Sequence, residues 1–177
     1  MFRTLAAAAL ALVATLAVDG AAAQTNERVA AFRDWSVFTP SNPRECYIVA
    51  QPSSSTAQRG GETVSVRRGE IRLFVTIRPE AGVDKEVSYT GGYPFRDGST
   101  VDVSIGSDTH ILNVGSGDGG EWAWPATPEK DADLITDMKA GATATITAIS
   151  SRGTTTRDTF SLLGFTAALG EAEKLCQ

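Results

Sequence analysis

The chain has a single histidine, His110, and only two cysteines among its 177 residues. Zinc and related ions take nitrogen and thiolate ligands in sets of three or four. This inventory excludes such a site once the two sulfurs are joined to each other. No Gly-x-Ser-x-Gly elbow occurs, and the Ser107, Asp108, His110 spacing does not build a Ser-His-Asp arrangement in a strand and turn. The lone imidazole reads as an exposed or packing-neutral hairpin residue. No glycine-rich stretch ends in Lys-Ser or Lys-Thr, so a phosphate-binding loop is excluded. Residues 115–120 carry one carboxylate, Asp118, where a calcium loop needs several at fixed spacing. No catalytic residue, metal ligand or cofactor is expected.

Positive charge is also in deficit. Sixteen Lys and Arg face 21 Asp and Glu, for a formal net charge of −5. Nucleic-acid binding draws its affinity from clustered cations, so no nucleic-acid partner is expected. Past the N-terminus no apolar run approaches the length of a membrane span, and an integral membrane protein is not expected.

The one long apolar run is at the start. Arg3 precedes an uncharged Ala- and Leu-rich stretch from Leu5 to Val18, and Ala21-Ala22-Ala23 follows. A charge, a core too short to span a bilayer and a small-residue stop make up a signal peptide, with cleavage expected after Ala23. Residues 1–23 are thus read as the signal peptide, and residues 24–177 as a single domain of the size that builds one core. The expected location is the periplasm or outer envelope, or outside the cell.

In an oxidising compartment Cys46 and Cys176 most simply form a disulfide, with two free buried thiols as the alternative. A bridge would close a loop of about 130 residues and contribute up to about 5 kcal/mol in the chain-entropy account.

The hydrophobic pattern is mostly of period 2. Ile71, Leu73, Val75 and Ile77 alternate with Arg72, Phe74, Thr76 and Arg78, which places the first set on a core face. Further strands are expected over residues 32–39, 46–49, 64–66, 85–89, 101–105, 110–114, 121–124, 144–148 and 154–163. Residues 41–43 read as a turn and residues 53–61 as a flexible loop. Thr127-Pro128-Glu129 opens one helix with a cap, a first-turn proline and an acid. Phe165, Ala168, Leu169, Ala172 and Leu175 share the face of a second, which leads into Cys176. Many short strands without strand–helix alternation predict a mainly β fold, an antiparallel sandwich or barrel with one or two short helices.

Two groups of residues are candidates for binding. Trp122 and Trp124 are two apart and so face one side of a strand. They read as core aromatics or as packed under a loop, with a platform for a glycan or protein partner as the alternative. Arg67, Arg68, Arg72 and Arg78 form a basic stretch. They read as outward charges that discourage edge-to-edge pairing, with recognition of phosphate, sulfate or carboxylate groups as the alternative.

Several motifs stand in order along the chain. They are Phe32-x-Asp34-Trp35-x-Val37, Cys46-Tyr47, Gly92-Tyr93-Pro94-Phe95-x-x-Gly98-Ser99, Glu121-Trp122-Ala123-Trp124-Pro125, Ser151-Arg152-Gly153-Thr154, and Asp158-Thr159-Phe160-Ser161-Leu162-x-Gly164-Phe165. The series resembles the bacterial invasion-associated locus B family over residues 29–177, most specifically in its first and last members. The resemblance implies an exported envelope protein with an immunoglobulin-like β-sandwich. It implies no catalytic residue and no agreed molecular activity, and the founding members are linked to host-cell entry. The combined expectation is a non-enzymatic envelope protein that binds another macromolecule or supports the envelope. A host-contact factor and an envelope hydrolase using unplaced carboxylates are the alternatives.

Overall fold

The computed structural model describes residues 28–40 and 44–177. The expected signal peptide and the turn expected at residues 41–43 lie outside them. The strands are β1 (Arg28–Phe32), β2 (Trp35–Phe38), β3 (Cys46–Ala50), β4 (Ser54–Arg59), β5 (Glu62–Thr63), β6 (Arg72–Arg78), β7 (Val83–Thr90), β8 (Thr100–Ile105), β9 (Asp108–Val114), β10 (Trp122–Trp124), β11 (Thr143–Ile149) and β12 (Thr155–Ser161). Helix α1 (Pro128–Ala140) separates β10 from β11, and α2 (Phe165–Leu175) follows β12.

Among the described residues all twelve strands join one antiparallel sheet in the order β1-β2-β3-β6-β7-β10-β9-β8-β11-β12-β4-β5. The sheet bends over on itself. Strands β7 and β12, five places apart in that order, meet face to face: the Tyr89 and Phe160 rings lie 6.2 Å apart, edge to face. The result is the expected mainly β sandwich with two helices. Its interior is filled by the inward residues of each strand, among them Leu73, Val75 and Ile77 of β6, Val101 and Val103 of β8, and Ala144 and Ile146 of β11. The alternation read in residues 71–78 is the alternation found, with Phe74 outward.

The helices close the open sides. Thr127 caps α1 by accepting from the Lys130 N–H, and Leu134, Ile135 and Met138 are buried. The face of α2 formed by Phe165, Ala168, Leu169 and Ala172 is buried against the early strands, and Phe165 meets Trp35 at 5.0 Å. The disulfide Cys46–Cys176 fixes the end of α2 to β3, with Cα atoms 5.9 Å apart and 130 residues between them in sequence. The pairing fits an exported protein. Trp35 Nε1 donates to the Ser161 carbonyl at 3.0 Å and joins the same two ends of the chain.

Three local expectations are corrected. Residues 32–39 are not one strand: the chain reverses at Arg33 and Asp34, with Arg33 at φ +55°, and forms the β1–β2 hairpin. The stretch read as a loop at residues 53–61 contains β4, whose backbone pairs with β12. Residues 64–66 form no strand.

Candidate functional site

Two surfaces collect the residues that the sequence singled out. The first is on the outer face of the sheet. In β10 the small Ala123 turns inward and is fully buried, so Trp122 and Trp124 turn outward and are half-buried. They are therefore not core residues. Trp122 continues a row of rings that crosses the sheet. Phe38 of β2 stacks on Tyr47 of β3 at 5.0 Å, Tyr47 meets Phe74 of β6 at 5.8 Å, Phe74 meets Trp122 at 5.7 Å, and Trp122 stacks on Trp124 at 6.3 Å. Strand β7 runs between Phe74 and Trp122. Its outward residue opposite Phe74 is the small Ser88, which lets the two rings close over it. The row borders a hollow of about 670 Å³, and Arg78 stands at its edge, paired with Glu86 at 2.6 Å and Glu45 at 3.7 Å.

The second surface is a cleft of about 470 Å³ between the 64–71 segment, the loop after β7 and the β11–β12 turn. Under it lies a buried polar network. Arg68 donates to both Asp158 oxygens, at 2.7 and 2.5 Å, and through Nε to the Gly91 carbonyl at 2.8 Å. Asp158 is fully buried and also accepts from the Tyr89 hydroxyl at 2.5 Å. The guanidinium lies 4.9 Å from the centre of the Tyr93 ring, a cation–π distance. Burial pushes the Tyr89 hydroxyl well above its ordinary range, and the Asp158 charge adds to the effect. For Arg68, burial opposes the charge, but the hydrogen bonds and charge of Asp158 outweigh it and hold the guanidinium protonated. Every buried polar side-chain atom among the described residues has a partner.

The four arginines read together in the sequence do not act together. Arg68 is locked to Asp158, Arg72 reaches Glu70, and Arg78 belongs to the aromatic hollow. Only Arg67 and Arg68 line the cleft, where Arg59 and Arg152 join them. Arg59 went unnoticed in the sequence because β4 carries no hydrophobic signal, and Arg152 stood there only as part of a motif, not as a binding candidate. The β4–β12 pairing sets Gln58 opposite Thr155 and so brings Arg59 to the turn that holds Arg152.

His110 is not packing-neutral. Its Nε2 lies 2.7 Å from Asp137 Oδ2, a contact that ties β9 to α1. Ser107 instead approaches Asp108, at 3.5 Å, so these three side chains do not assemble into a reaction centre. Among the described residues no group of three or more His, Cys, Asp and Glu is placed to hold a metal ion. No helix among them is long and apolar enough to cross a membrane.

The model of the family described as invasion associated locus B (IalB) protein matches residues 35–173. The chain belongs to the IalB family. A similar solved structure is that of invasion associated protein B from Bartonella henselae. It is 13% identical, covers 82% of this chain and 96% of its own, and superposes with a TM-score of 0.56. That likeness is one of fold. No curated protein matches the chain. The IalB family is not a known enzyme family. The segments that carry the IalB resemblance in the sequence, at Gly92-Tyr93-Pro94, Glu121, Ser151-Arg152 and Asp158, meet at the arginine-lined cleft or directly beneath it.

Proposed function

We propose that this IalB protein is exported by cleavage after Ala23, is not an enzyme, and works in the cell envelope by binding another protein through its outer aromatic row. The observation that carries the reading is the row itself, with five half-buried rings in continuous contact across one face of the sheet. Aromatic side chains are enriched where protein surfaces meet, and large contiguous apolar patches are uncommon on monomeric proteins. A protein partner is favoured over a glycan because the rings stack on one another. Phe38 with Tyr47 and Trp122 with Trp124 each turn one face to a neighbour, which leaves a ribbed apolar strip rather than open ring faces for sugars. The ion pairs at Arg78 give this strip a polar rim.

The test is cross-linking in intact cells, followed by purification of this chain. The wild type is expected to carry one discrete protein adduct. Trp122→Ala/Trp124→Ala is expected to lose it at least about ten-fold, since interface tryptophans are frequent hot spots. An adduct of two copies of this chain, or one that the double variant retains, overturns the reading. Mass spectrometry of the native protein tests export separately: a chain that begins at Met1, or thiols that alkylate without reduction, removes that part.

A further inference from the structure

A chain of net charge −5 concentrates positive charge at one concave place. Arg59, Arg67, Arg68 and Arg152 border the same cleft, against Glu121 in its lining and Asp158 beneath it. Two positive charges are left over, and they are not those of Arg68, which Asp158 neutralises. Among the described residues no carboxylate lies within ion-pair distance of Arg59, Arg67 or Arg152. This sets the cleft apart from Arg72 and Arg78, which are paired.

The three unpaired arginines extend from an ordered backbone. Arg59 is held by two hydrogen bonds to the buried Thr154 hydroxyl, at 3.1 and 2.7 Å. Arg152 sits in a tight turn closed by Gly153 N–H to the Ser150 carbonyl at 2.8 Å and Ser150 N–H to the Thr154 carbonyl at 2.9 Å, with Gly153 at φ +80°. Arg67 adjoins Arg68, whose side chain is anchored on Asp158, Gly91 and Tyr93. Tyr93 completes the floor, its hydroxyl 2.5 Å from that of Thr156. The cleft thus gathers one held guanidinium, that of Arg59, and two exposed ones that extend from an anchored backbone, around a space large enough for more than a single small ion.

We infer that this cleft is a binding site for a phosphate monoester carried on a sugar or on a lipid headgroup. A dianionic tetrahedral group matches the surplus of two charges. It can accept from several guanidinium forks at once, the geometry at which arginine is superior to lysine. The Tyr93 ring and Pro94 supply an apolar flank against which a carrier group can lie.

Isothermal titration of the full chain with glucose 6-phosphate and with inorganic phosphate reads the site. Sedimentation with phosphatidylcholine vesicles, with and without phosphatidic acid, reads the lipid source. The phosphosugar or the phosphatidic acid vesicles are expected to bind in the millimolar range or tighter, and whichever does so identifies the carrier. Arg67→Gln and Arg152→Gln, both at exposed positions, are each expected to weaken binding about ten-fold with unchanged melting temperature. Glu121→Gln is expected to strengthen it several-fold by removing the opposing charge, a gain that no structural role gives. Absence of binding to both carriers, or binding that the arginine variants leave unchanged, overturns the inference. The site stands apart from the aromatic row, so Trp122→Ala/Trp124→Ala is expected to bind phosphate normally and the two readings fail separately.

Discussion

Replacing Asp158 with alanine strikes the most deeply buried ion pair among the described residues. The change leaves the Arg68 side chain, 8% exposed, with no counter-charge, and it strips the acceptor from the Tyr89 hydroxyl in the core. Removing one partner of a buried pair costs about 3–5 kcal/mol. A buried hydroxyl without an acceptor adds about 1–3 kcal/mol. A loss near 5 kcal/mol is therefore expected, a large part of the roughly 5–15 kcal/mol that holds a domain folded. Asp158→Asn keeps an acceptor for Tyr89 and for one arm of Arg68, so a smaller loss is expected. The double change Arg68→Met/Asp158→Leu removes both charges and is expected to recover most of the stability, because a lone buried charge is worse than an apolar pair. Urea unfolding under non-reducing conditions, followed by tryptophan fluorescence, measures all of these. If Asp158→Ala costs less than about 1 kcal/mol, or if the Arg68→Ala and Asp158→Ala losses simply add in the double variant, the two side chains are uncoupled and the reasoning fails.

Two further outcomes are expected. Asp131, in the first turn of α1, is pushed up to about 6 by burial, with a smaller push from Glu86, although the Val87 N–H donates to it at 2.7 Å and works the other way. A raised carboxyl value favours the fold while the group is neutral, so this contribution is complete below about pH 4 and is lost as pH rises to about 6. Asp131→Asn is expected to gain thermal stability relative to the wild type across that interval, and a constant difference from pH 4 to pH 7 would contradict the assignment. The second concerns glycine. At Gly164, with φ +91°, an added Cβ would fall onto the Phe32 carbonyl oxygen, so Gly164→Ala is expected to cost about 3 kcal/mol or more. At Gly170, inside α2, an added Cβ meets nothing within 4 Å, and Gly170→Ala is expected to stabilise by about 0.5–1 kcal/mol. Chemical denaturation of the pair checks both signs.

The parts of the fold that were legible are those where burial writes a period into the side chains. Residues 71–78 showed it because β6 has one face in the core, and α2 showed it because Phe165, Ala168, Leu169 and Ala172 share one. Strand β4 was silent for the opposite reason. Of Ser-Ser-Thr-Ala-Gln-Arg only Ala57 is buried, and what makes it a strand is the backbone ladder to β12. The β1–β2 turn was hidden because no glycine, proline or asparagine marks Arg33 and Asp34. The same blindness split the candidate site. Spacing put Trp122 and Trp124 on one side of a strand but could not say which. Arg59 and Arg152 stand 93 positions apart, and no local pattern joins them.

The Cys46–Cys176 bond and the Trp35–Ser161 hydrogen bond both tie the opening strands to segments more than 120 residues later. Trp35 of β2 and Cys46 of β3 are covered or tied by residues of α2 and its end, at the far end of the chain. Contacts of such high sequence separation carry a loop-closure cost that slows folding. Joining the two sulfurs makes that closure covalent, so the C-terminal helix cannot leave the early strands without reduction.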